Sequence, residues 1–185
     1  ASTVSTNTSV NYGGAIYIDG NSDTDQARLT ITDSRVNNNQ ATTHNGGGIW
    51  ADQTLITVVN STVDNNRAAT AGRFGGGIYL TGLNTTLTLD HSSVSRNRVG
   101  RTGAGIYASG NYIQMTVRNG STVDGNESTE DNDGAQGGGI YLSGVGVKLN
   151  IADSSISNNI AERFGGGVYL SNNSNTVPGQ LTVNR

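Results

Sequence analysis

Six times along the chain a glycine-rich tripeptide precedes a β-branched residue and an aromatic. The blocks run Gly13 to Tyr17, Gly46 to Trp50, Gly75 to Tyr79, Gly103 to Tyr107, Gly137 to Tyr141 and Gly165 to Tyr169. The aromatics lie 33, 29, 28, 34 and 28 residues apart. A period near 30 residues restricts the chain to architectures in which one supersecondary unit stacks on the next. Only 33% of the residues are hydrophobic, yet their placement is strict, which argues against disorder. Twenty-seven glycines without a Gly-X-Y period exclude collagen.

Three short strands can be read in each repeat. The first is Ser/Thr-x-Val-x-x-Asn, from Val4 to Asn7, Val36 to Asn39, Val63 to Asn66, Val94 to Asn97, Val123 to Asn126 and Ile156 to Asn159. The second is the Gly-Ile-Tyr block. The third is an apolar-Thr-apolar run such as Leu29-Thr30-Ile31 or Leu87-Thr88-Leu89. Period-two alternation sends Ile16, Ile49, Ile78, Ile106, Ile140 and Val168 inward, with the residue two places on. A small-residue column, Ser9, Ala41, Ala68, Val99, Ser128 and Ala161, follows each corner. No inward position carries a charge. The expected fold is all-β: a right-handed parallel β-helix of about six turns, spanning residues 1–185 as a single domain. The chain begins within a repeat and shows no polar cap, which reads as a segment of a longer array or a subunit that stacks on its copies.

Asn7, Asn39, Asn66, Asn97, Asn126 and Asn159 recur at one corner. Asn tolerates left-handed backbone angles there, and stacked amides can hydrogen-bond along the axis as a ladder. The glycines ahead of each Ile serve a bend or close packing between turns.

A net charge of -3 gives no pull toward nucleic acid, and no run of 18 apolar residues is present to span a bilayer as a helix. There is no cysteine, hence no thiolate metal site. No catalytic constellation, cofactor site or metal site emerges. The only Lys is Lys148, and His44 and His91 lie in separate turns. Asp19 and Asp52 share a column on adjacent turns, where solvated partners are commoner than a catalytic pair. The acidic loop Glu127, Glu130, Asp131 and Asp133 lacks the spacing of a calcium loop. Arg67, Arg73, Arg96, Arg98 and Arg101 cluster near successive corners, with Arg67 and Arg98 in one column with Glu127. A Thr column, Thr30, Thr57, Thr88, Thr116 and Thr182, is broken by Asn150 and has no regular neighbour, which argues against ice binding.

Tyr17, Trp50, Tyr79, Tyr107, Tyr141 and Tyr169 sit between inward positions and so point outward as one stripe. Such a stripe either stabilises the stacking of turns or binds a partner, be it another copy or a surface glycan.

Gly13-Gly14-Ala15-Ile16 with the recurrent Val-x-x-Asn resembles the repeat signature of chlamydial polymorphic outer membrane proteins, Gly-Gly-Ala-Ile and Phe-x-x-Asn. More loosely, the chain is similar to autotransporter passengers. All six Phe positions carry Val or Ile here. The resemblance implies secretion, display on the cell surface, and adhesion or envelope structure. The expectation is therefore a non-enzymatic extracellular structural or adhesive β-helix. The alternative is a carbohydrate-binding or polysaccharide-cleaving β-helix.

Overall fold

The computed structural model describes residues 1–20, 26–129 and 134–185. These form a parallel β-solenoid of six turns, all-β, with no helix among the described residues. The first turn carries strands Thr3–Ser5, Thr8–Ser9, Ile16–Asp19 and Ala27–Thr32. The sixth carries Ser155–Ser157, Ile160–Ala161, Val168–Asn172 and Gln180–Asn184. Each strand pairs in parallel with its equivalents above and below, giving four six-stranded sheets.

The register is the one the repeat dictates. Val4, Val36, Val63, Val94, Val123 and Ile156 pair in sequence in the first sheet. The aromatics pair from Tyr17 to Tyr169 in the third. Thr30, Thr57, Thr88, Thr116, Asn150 and Thr182 pair in the fourth. Ile49, Ala51, Ile78, Leu80, Ile106, Ala108, Ile140 and Leu142 are fully buried at 0% exposure, which confirms the inward assignment. Burial of this continuous aliphatic column supplies the main stabilisation, at ~25 cal/mol per Å² of apolar surface.

Two expectations need correction, and a further feature joins them. Each turn has four strands, not three. The extra one is the two-residue stretch after the corner, such as Arg67–Ala68 and Arg98–Val99. It escapes a pattern search because two residues show no alternation. Its inward residues Ala68 and Val99 form a small cluster with Ala104, separate from the main core.

Second, the left-handed backbone lies one residue before the ladder Asn. Thr6, Asn38, Asn65, Arg96, Gly125 and Asn158 have φ of 56, 57, 54, 52, 62 and 52°. The ladder Asn is thereby free to use its whole amide for bonding.

In addition, the corner at the other end of the first strand carries a second ladder. The backbone N–H groups of Ser2, Ser34, Ser61 and Ser92 donate to the Oγ of Ser34, Ser61, Ser92 and Ser121, at 3.3, 3.0, 3.1 and 3.1 Å. The signal was present, since Ser stands two places before the first-strand Val or Ile in every repeat. The ladder stops at Ser121, whose N–H turns back to the carbonyl of Arg118. That corner holds an additional residue, with Asn119 and Gly120 both left-handed, and Ser154 Oγ is left buried without a hydrogen bond.

The Asn ladder is complete across all six turns. Asn97 represents the interior steps. Its Oδ1 accepts from Asn66 N and Nδ2 at 2.9 and 3.1 Å. Its Nδ2 donates to the Val63 carbonyl and to Asn126 Oδ1, both at 3.0 Å. All four bonds available to a primary amide are made.

The glycines divide the two duties between them. The first of each block, Gly13, Gly46, Gly75, Gly103, Gly137 and Gly165, lies at φ between 58 and 72° and makes the bend. The third lies beneath the ladder. A Cβ on Gly48, Gly77, Gly105 or Gly139 would meet the Nδ2 of Asn66, Asn97, Asn126 or Asn159 at 3.0, 2.8, 2.9 and 2.8 Å.

Candidate functional site

The outward aromatics of the third sheet form one continuous stack. Successive ring centroids from Tyr17 through Trp50, Tyr79, Tyr107 and Tyr141 to Tyr169 are 4.4, 6.2, 4.9, 4.9 and 5.1 Å apart. The planes lie within 2, 8, 9, 2 and 4° of parallel. Parallel in-register strands are ~4.8 Å apart, so identical side chains in one column are held at stacking distance by the backbone alone. Each interior ring therefore has both faces against other rings. Tyr17 is 54% exposed, whereas the five that follow are half-buried.

Sequence reasoning missed the aromatics beside the stack. Tyr12 lies 5.4 Å from Trp50 and 6.4 Å from Tyr17, Phe74 lies 4.7 Å from Tyr107, and Phe164 lies 6.5 Å from Tyr169. All three occupy the position just before the Gly block, a column that is aromatic in only three of six turns. The Arg101 guanidinium sits 5.4 Å over the Phe74 ring and that of Arg163 4.9 Å over Phe164, within cation–π range. Phe74, Arg101, Thr102, Tyr107, Gln136 and Tyr141 border an open cleft of about 200 Å³.

Burial pushes the Tyr79 phenol up to about 12, with the neighbouring Tyr107 adding to it. Burial likewise raises Tyr107. A folded-state value above the ordinary 10.0 means that the unfolded chain ionises first. This contribution is whole below pH 10 and is lost as pH rises toward 12. Allowing for partial solvation, Tyr79 should cost the fold ~1–2 kcal/mol across that interval. Denaturant titrations of the wild type and Tyr79→Phe over this range check it, and the variant should lose less.

The other candidates disperse. Arg98 Nε donates to Glu127 Oε2 at 2.9 Å, and its Nη2 contacts the same oxygen. Arg96 pairs with Asp64 at 3.1 Å. Arg67 stacks in register with Arg98 on the second sheet, whereas Arg101 packs on Phe74 beside the aromatic stack. Arg73 lies beside Arg101, whose backbone N–H donates to the Arg73 carbonyl at 3.2 Å, while Arg96, Arg98 and Arg101 each face a different group.

Asp19 and Asp52 are register partners, and Tyr17 donates to Asp19 Oδ2 at 3.3 Å. Burial, and then the charge of Asp19, raise the Asp52 carboxyl. The column continues as Thr81 and Ser109, so no third carboxylate joins the pair from that direction. Glu130, Asp131 and Asp133 of the acidic loop lie outside the described residues. Among the described residues, no three His, Asp or Glu side chains come together as a metal-binding group.

Compared with protein-family models, curated proteins and solved structures, the chain matches none. Its fold is that of a parallel β-solenoid repeat protein, with axial hydrogen-bond ladders at two corners.

Proposed function

We propose that the chain is a non-enzymatic extracellular structural or adhesive β-helix, a segment of a cell-surface fibre, sheath or spacer. The observation that carries this reading is the use of the aromatic stripe. A protein holds a sugar on an aromatic by offering a free ring face to it. Here the interior faces are consumed by the neighbouring turns, and only ring edges look outward. The stripe serves the scaffold as the two ladders do. The likeness of the Gly-Gly-Ala-Ile block to chlamydial surface-protein repeats supports placement outside the cell. A fold with two ladders and no cysteine needs no disulfide to be rigid there.

The carbohydrate-binding alternative rests on the cleft beside Phe74 and Arg101. Affinity electrophoresis through neutral and acidic polysaccharides, combined with thermal melting of Tyr107→Ala, separates the two. The structural reading expects no retardation of the wild type and a drop in melting temperature for the variant. Retardation that Tyr107→Ala abolishes at unchanged stability would sink it.

A further inference from the structure

The aromatic column is also a line of oxidisable groups. The chain has no cysteine, and its single methionine, Met115, is 1% exposed in the core. Indole and phenol are therefore the side chains that a one-electron oxidant in solution meets. Of seven Tyr and one Trp, the Trp and five Tyr stand in this one stack.

Trp50 is the point of entry, because an indole can lose an electron without losing its proton at once. From it, centroid steps of 6.2, 4.9 and 4.9 Å lead through Tyr79 and Tyr107 to Tyr141. Beyond Tyr79 each step joins identical groups in register, so their intrinsic oxidation potentials are equal. A phenol that loses an electron also releases its proton. Burial disfavours the charged phenolate, which is what raises Tyr79 and Tyr107. A neutral phenoxyl radical carries no charge and escapes that penalty. The Arg101 guanidinium over Phe74, whose ring is 4.7 Å from Tyr107, disfavours a cationic ring there as well. Electron and proton must therefore move together. The parallel register supplies the means, since it sets each hydroxyl beside the hydroxyl of the next turn. Phe74 has no hydroxyl and is far harder to oxidise, so it flanks the path without branching it.

We infer that the column relays oxidising equivalents along the solenoid, from Trp50 through Tyr79 and Tyr107 to Tyr141. A diffusing one-electron oxidant takes an electron from Trp50 and leaves the indole radical cation. Tyr79 gives an electron to Trp50 and its proton to water, and becomes a neutral phenoxyl radical. Tyr107 then gives an electron and a proton to Tyr79, which is a phenol again, and Tyr141 does the same for Tyr107. The sum is one electron accepted by the oxidant, one proton released, and one phenoxyl radical three turns from the site of attack.

The test injects the radical at Trp50 alone. Light at the red edge of indole absorption excites it, a pentaamminechlorocobalt(III) salt takes the electron irreversibly, and a nitroso spin trap captures the radicals. All samples carry Tyr12→Phe and Tyr17→Phe, which close the branches 5.4 and 4.4 Å from Trp50. Circular dichroism checks that each keeps the fold. Peptide mapping by mass spectrometry should find adducts at Tyr107 and Tyr141. Adding Tyr107→Phe, which keeps the ring and removes the hydroxyl, should abolish the Tyr141 adduct and increase that at Tyr79. Tyr112, 43% exposed with its ring against Gly146 and outside the stack, should remain unlabelled. Radicals confined to Trp50 and Tyr79 overturn the inference. So does a Tyr141 adduct undiminished by Tyr107→Phe, or labelling of Tyr112 as strong as that of Tyr141. The rings stack whether or not an electron moves along them, so such a result leaves the scaffold reading standing.

Discussion

Asn97→Ala is expected to lower the melting temperature by roughly 10 °C or more, among the largest effects a single side chain can have here. Asn97 is 0% exposed and lies mid-ladder. Truncation strips the acceptor from Asn66 N and Asn66 Nδ2 and the donor from the Val63 carbonyl, while Asn126 Oδ1 loses one donor and keeps the Asn97 backbone N–H. Three polar groups are left in a place that water does not reach, each costing ~1–3 kcal/mol. Few single substitutions exceed 4–5 kcal/mol, and unsatisfied buried polar groups are one of the known routes to it. The matched control is Asn7→Ala. The Asn7 side chain donates along the ladder to Asn39 and, among the described residues, accepts nothing, so its loss should cost about 1 kcal/mol. Denaturant unfolding followed by circular dichroism compares the two. Equal losses would mean that the ladder gains nothing from burial.

Gly77→Ala should destabilise by on the order of 3 kcal/mol although it adds one methyl group. The backbone at Gly77 is not left-handed, so the cost is spatial. The new Cβ would lie 2.7 Å from the Gly105 carbonyl oxygen and 2.8 Å from Asn97 Nδ2. Neither can withdraw without stretching the pairing between turns. Gly72→Ala is the control for backbone effects, with φ of +76° and open space around the added carbon. It should cost about 1 kcal/mol, the conformational penalty alone. In the double variant Gly77→Ala with Asn97→Ala, the amide that the methyl group strikes is gone. The combined loss should then fall short of the sum, as expected for residues in contact. Simple additivity would show that the glycine is not there to make room for the Asn.

These two residues also show why so much of this fold was legible. In a stacked repeat every structural requirement is imposed six times, so a requirement appears as a column. The inward Ile column, the corner Asn and the aromatic stripe could be read because each recurs and each obeys period two or a fixed offset. Features without a column were not. The two-residue strand carries Thr8, Gln40, Arg67, Arg98, Glu127 and Ile160 on its outer side, residues with nothing in common. The flanking aromatics alternate with Asn45, Thr102 and Gln136 and so give no periodic signal. The Ser ladder was overlooked for a different reason. Serine in a β-rich chain is unremarked until its hydroxyl is seen accepting a neighbour's N–H. The left-handed corner was misplaced by one residue because Asn fits both roles. Only the backbone angles separate Asn65, which bends, from Asn66, which bonds.

The in-register columns make the length of this rod a quantity that recombination can adjust. Excising Tyr79 to Ile106 joins Ile78 directly to Tyr107 and removes one full turn. Asn66 then meets Asn126 where it met Asn97, Trp50 meets Tyr107, and Val63 meets Val123. Each of these three contacts is between residue types that already face each other elsewhere in the molecule. Unequal exchange between repeats of one gene would therefore lengthen or shorten the solenoid in whole turns while leaving its cross-section unchanged. Reach can evolve separately from surface chemistry.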